Sequence, residues 1–132
     1  MNRLTVLVIS AFTSMVTGAA NAESYVAVQN AEGVQAVTMH AKSYSFSPDK
    51  ITVQIGVPVE LRITKSGWVP HTFVIDDPVS GLNVKEKLRS SKPTVIRFTP
   101  ERKGEFSFFC AKTSPFGKTH REKGMHGIFV VR

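Results

Sequence analysis

Gly104-Glu-Phe-Ser-Phe-Phe-Cys110 decides how this chain folds, and it leads through a polar loop to His120-Arg-Glu-Lys-Gly-Met125-His126-Gly-Ile-Phe-Val-Val131. Phe106, Phe108 and Cys110 share one face by the two-residue period of a strand, which predicts a sulfur at the rim of a core. No other cysteine exists in the chain. Far upstream, Pro70-His71 opens a second strand pattern, Thr72-Phe-Val-Ile75, in which His71, Phe73 and Ile75 face the same way. Two imidazoles, a thiolate and a weak thioether together make the trigonal donor set that copper uses for electron transfer. His71, Cys110 and Met125 supply three of these, and either His120 or His126 supplies the fourth.

The start of the chain bears on where that thiol lives. Met1-Asn-Arg3 is a short positive opening, Leu4 to Phe12 is mostly apolar, and Ala20-Asn-Ala22 has the small-x-small pattern of a cleavage site. Residues 1–22 therefore read as a signal peptide cut after Ala22, and residues 23–132 as one exported domain, periplasmic or secreted. The apolar run is too short for a membrane span, so no transmembrane anchor is expected. Outside the cytoplasm a solitary cysteine cannot close an internal disulfide, and an exposed free thiol would oxidise. Metal ligation accounts for a sheltered, single cysteine.

The formal charge is +7, and removing Arg3, the one charged residue before position 23, lowers it by one to +6. An exported basic protein meets other proteins and surfaces rather than nucleic acid, so a partner with an acidic docking face is expected, and a monomer. Lys112, Lys118, Arg121 and Lys123 gather in the loop after Cys110.

Strand periodicity extends along the rest of the chain. Tyr25-Val-Ala-Val28 and Val34-Gln-Ala-Val-Thr-Met39 flank the turn signal Asn30-Ala-Glu-Gly33. Tyr44-Ser-Phe-Ser47, Ile51 to Ile55 and Val57 to Thr64 alternate apolar with polar residues, as half-buried antiparallel strands do. His40 falls on the polar parity with Thr38 and Lys42 and reads as solvent-facing. Between Asp77 and Pro93 the alternation dissolves, which predicts a long surface connection with one helical turn around Val84 to Leu88. Ile96 and Phe98 resume an inward face. The expected architecture is all-β: a Greek-key β-sandwich of seven or eight strands.

These motifs resemble the cupredoxins, the small blue copper proteins, and plastocyanin-like members above all. Gly67-Trp-Val-Pro-His71 with Thr-Phe-Val-Ile-Asp76 resembles the segment of the first histidine ligand. Thr99 to Cys110 resembles the approach to the cysteine ligand, and His120-x4-Met125-x-Gly127 has the spacing of the second histidine, the axial methionine and a following glycine. The resemblance covers most of residues 37–132. It implies a cupredoxin-like sandwich holding one copper ion through His71, Cys110, His120 and Met125, with His126 outside. It further implies electrons passing at an apolar patch near Trp68, Pro70 and Phe116. The chain departs from the family in one respect. Nine residues separate Cys110 from His120, where two to four are usual, and this predicts a less rigid ligand loop.

An electron carrier acting with redox proteins is the leading expectation, and a periplasmic copper chaperone delivering copper to an oxidase is the alternative. Multicopper catalysis needs histidine clusters that four histidines cannot supply, so no enzyme activity is expected. A metal-free structural domain is the remaining reading.

Overall fold

A computed structural model describes residues 22–78 and 82–132. The leader read over residues 1–22 lies, apart from Ala22, outside the described residues.

Ten strands occur among the described residues: β1 (Ser24–Val26), β2 (Gln35–Lys42), β3 (Ser45–Ser47), β4 (Lys50–Val53), β5 (Val59–Lys65), β6 (Thr72–Asp77), β7 (Leu82–Lys87), β8 (Thr94–Phe98), β9 (Gly104–Phe109) and β10 (His126–Val131). They form a sandwich of a six-stranded sheet, ordered β1-β4-β10-β9-β6-β7, and a four-stranded sheet, ordered β3-β2-β5-β8. Burial alternates strictly along β2. In β2 the side chains of Gln35, Val37, Met39 and Ala41 are buried and those between them are exposed. His40 is among the exposed ones, bonded to Thr64 Oγ1 at 2.9 Å.

An aromatic cluster fills the space between the sheets. Phe73 stacks on Phe108 at 5.3 Å, Phe46 meets both edge-on at 5.7 and 5.6 Å, and Phe129 lies 5.2 Å from Phe108. Edge-to-face and offset rings add to the burial that holds two sheets together. Phe73 comes from β6, Phe108 from β9 and Phe129 from β10, so the cluster fixes the three strands whose ends carry the metal-ligand candidates.

Three local readings change. β4 pairs parallel with both β1 and β10, and β5 pairs parallel with β2, where antiparallel partners are expected, because alternation marks a buried face and not a strand's direction. The strands among the described residues number ten where seven or eight are expected, β7 being one that the polar sequence hides. Asn30 to Gly33 does turn the chain, with Asn30 Oδ1 accepting from the Glu32 and Val34 amides. The strands on either side, however, enter different sheets instead of forming a hairpin. The long surface connection with a helical turn is instead β7, paired antiparallel with β6 from Asp77↔Leu82 to Thr72↔Lys87. Its polar composition misleads because β7 is a sheet edge with Asn83, Lys85, Glu86 and Lys87 exposed. Charged edge strands are a common guard against pairing with a foreign chain.

Candidate metal centre

His71 precedes β6, Cys110 follows β9, and Met125 precedes β10, so all three leave neighbouring strands at one pole of the sandwich. The Cys110 amide donates to the Met125 carbonyl at 3.0 Å, and the Met125 amide donates to the His120 carbonyl at 3.0 Å. The Leu88 amide holds the carbonyl of His71 at 3.0 Å. Backbone bonds thereby fix the positions from which the candidate ligands project.

His71, Cys110 and His120 are buried, with ligand atoms within 4.8 Å of one another. His71 Nδ1 lies 3.2 Å from His120 Nδ1, while Cys110 Sγ lies 3.9 Å from the first and 3.5 Å from the second. A triangle with those edges has its three corners about 2.1 Å from a common centre, close to the bond lengths by which imidazole nitrogen and thiolate sulfur hold a borderline metal ion. Two neutral imidazole nitrogens facing each other at this range need a cation or a shared proton between them. The donor set therefore fits a mononuclear copper ion of trigonal type.

Met125 is fully buried beside this triangle, while His126, one residue on, is exposed on the other face of β10. The structure thus groups His120, and not His126, with His71 and Cys110.

Burial holds both imidazoles in their neutral, metal-ready form. It is the main cause that lowers His71 to about 4, with the His120 and Lys65 charges adding to it. His120 is lowered by burial first, then by Lys123 and Lys112. For a histidine depressed in the folded state, the unfolded chain takes up its proton at the higher pH. The stability is therefore fully present above pH ~6.5 and is lost as the pH falls toward the folded value. Copper-free protein should lose up to about 3 kcal/mol between pH 7 and pH 4, a fall in Tm of roughly 10 °C. A thermal melt flat across that interval would show that His71 is not desolvated.

Sequence reading missed two features at the site. Thr72 donates its amide to Cys110 Sγ at 3.3 Å, while its hydroxyl accepts from the Ala111 amide at 2.9 Å. Such an N–H bond fixes the direction in which the sulfur points. The other is the ligand loop, which is not the loose span that its length predicts. Thr113 bridges to Thr119, the Ser114 amide reaches the Lys118 carbonyl, and the His120 amide reaches the Lys112 carbonyl at 2.8 Å. Thr119 and Glu122 then form a reciprocal cap: the Glu122 carboxylate accepts from the Thr119 amide, and Thr119 Oγ1 accepts from the Glu122 amide. This is the T-x-x-E capping box, legible as Thr119-His-Arg-Glu122, and it seats His120 at the start of a single helical turn.

A β-sandwich with a buried Nδ1, Nδ1, Sγ triangle at one pole defines a small metal-holding domain. The chain matches the cupredoxin-like domain family over residues 5–131 and belongs to it. The match begins inside the stretch read as a leader. No curated protein matches the chain in sequence. Among solved structures it is similar to a copper binding protein determined by NMR in the apo form, at 24% identity and TM-score 0.66, covering 85% of this chain and 100% of that one. The metal binding domain of the Streptococcus pneumoniae D39 Cu(I) exporting P-type ATPase CopA is also similar, at 21% identity and TM-score 0.65, covering 85% and 98%. Plastocyanin from Dryopteris crassirhizoma follows at 21% identity and TM-score 0.52, covering 73% and 100%.

Proposed function

We propose that the protein is an exported electron carrier, with His71, Cys110 and His120 as the strong ligands of one copper ion and Met125 as the axial ligand. The buried triangle of two ring nitrogens and one sulfur carries this reading. When bound, copper supplies a one-electron couple between its +1 and +2 states. The chain's part is to keep the donors still. The backbone bonds between residues 110, 120 and 125, together with the Thr72 amide on sulfur, resist the ligand movement that would slow electron exchange. No substrate is turned over.

The natural exit is the His120 side. A cavity of about 450 Å³ there is lined by His120, Tyr44, Val69, Pro70, Pro115 and Lys112, among others. Trp68 and Phe116, chain neighbours of its walls, are fully exposed. With Lys118, Arg121 and Lys123 exposed on the same loop, this face suits a redox protein with an acidic docking surface. Residues 1–22 fit a leader cut after Ala22, and no helix among the described residues is long and apolar enough to cross a membrane. A periplasmic or secreted monomer is the corresponding location and state.

Similarity to a domain of a Cu(I) exporter favours a second reading, a copper carrier that hands its ion to another protein. Adding Cu(II) to the purified protein separates the two. The electron carrier gives an intense visible thiolate-to-copper band that bleaches on reduction and returns on reoxidation. A colourless protein that binds Cu(I) tightly and yields it to a chelator would favour the second reading, and no binding at all would remove both. In the same assay His126→Ala should leave the band unchanged, and a band lost in that variant but kept in His120→Ala would overturn the ligand assignment.

A further inference from the structure

Tyr44 lies in the turn between β2 and β3, and its ring meets both candidate ligand rings edge-on, His120 at a centroid distance of 4.8 Å and His71 at 6.4 Å. The Lys123 ammonium lies 4.2 Å from the centre of the same ring. Lys123 belongs to the helical turn that the Thr119 and Glu122 cap begins, three residues after His120. A single aromatic ring therefore touches two imidazoles and the loop that carries one of them.

The chemistry of His71 makes that contact consequential. Histidine ligands are usually oriented by a hydrogen bond from the ring nitrogen that does not face the metal. Here Nδ1 faces the triangle, and Nε2 is buried with no hydrogen-bond partner among the described residues. Packing must then set the ring plane, and Tyr44 and His120 are the rings that pack on it.

We propose that Tyr44 is a positioning residue and a latch. Its ring orients His71 and His120, and by holding Lys123 on its face it closes the ligand loop onto the β2–β3 turn, so that loop opening, and with it metal exchange, requires breaking this contact. The claim about metal exchange rests on the copper reading above; the claim about the loop does not. Aromatic pairs and cation–π contacts at half-exposed sites have strengths that translate into about a tenfold change in an opening equilibrium.

Amide hydrogen exchange on the copper-free protein tests the latch directly. Tyr44→Leu should speed exchange of the His120 and Met125 amides, which close the loop onto Lys112 and His120, by about tenfold. Tyr44→Phe keeps the ring and should restore native protection. Val59→Ala, at the far end of β5, controls for general destabilisation and should leave these two amides in step with the rest of the core. Should Tyr44→Leu fail to fold, Lys123→Met decides, with a several-fold acceleration expected at the same amides. Unchanged protection in Tyr44→Leu, or in Lys123→Met when that variant decides, overturns the latch. In copper-loaded protein Tyr44→Leu should pass the ion to a chelator about tenfold faster than the native chain, with Tyr44→Phe at the native rate. A chain that bound no copper would sink the copper reading while still reporting on the loop through its amides.

Discussion

Cys110→Ser is expected to abolish the visible thiolate-to-copper band and to weaken copper binding by at least about 100-fold, read by competition with a chelator of known affinity. Losing an outer partner of a metal ligand typically costs 10–100-fold, and this substitution removes a direct one. The loss is the largest available at the site because sulfur is the one anionic and soft donor in the triangle; the two imidazoles are neutral and harder. The fold should survive. Serine is slightly smaller than cysteine, and its oxygen can accept the Thr72 amide that the sulfur accepts at 3.3 Å. The apo protein should therefore lose only about 1–2 kcal/mol, the cost of a polar group imperfectly placed in a buried position. Native affinity retained in Cys110→Ser would mean that the metal sits elsewhere, and the triangle would be a packing arrangement only.

How much of this was legible in the chain depends on whether a residue's role is carried by its neighbours in sequence or in space. His71, Phe73 and Ile75 announce a buried face by period alone, as do Phe106, Phe108 and Cys110, and all six are buried. The separation of His71 from Cys110 in sequence disguises nothing, because one immediately precedes β6 and the other immediately follows β9, neighbouring strands whose ends meet at one pole. β7 reads as a loop in the sequence because an edge strand can carry charges wherever solvent takes them, so its alternation is weak. Length alone predicts a less rigid ligand loop, yet a T-x-x-E box and a short antiparallel bridge, which a count of residues ignores, tie it together. Thr72 and Tyr44 lack a local signal of comparable strength. Tyr44 shares its parity with the buried Phe46, which points it inward, but only the folded chain reveals that the next groups it meets are two imidazoles.

Gly127→Ala is expected to destabilise the protein by about 3 kcal/mol or more, or to prevent folding altogether, although the site it follows contributes no ligand at that position. A methyl group built there would lie 2.2 Å from the Asp49 carbonyl oxygen and 2.3 and 2.6 Å from two ring carbons of Phe108. Neither neighbour can yield. The Asp49 oxygen accepts the Ile128 amide at 2.8 Å and so belongs to the ladder joining β10 to β4. Phe108 is fully buried and held by Phe46, Phe73 and Phe129. The strand would have to move, and Met125, two residues back, would move with it, straining its bonds to His120 and Cys110. This gives the glycine of His120-x4-Met125-x-Gly127 a physical reason: β10 can approach β4 and the aromatic cluster closely enough to seat Met125 only where a side chain is missing. Gly124→Ala is the instructive contrast. Its φ of +104° carries a conformational cost, but the nearest atom to its methyl is 3.8 Å away, so about 1 kcal/mol is expected. Urea unfolding of the two variants side by side separates lack of space from backbone strain, and a Gly127→Ala midpoint at or above that of Gly124→Ala would refute the close approach of β10 to its neighbours.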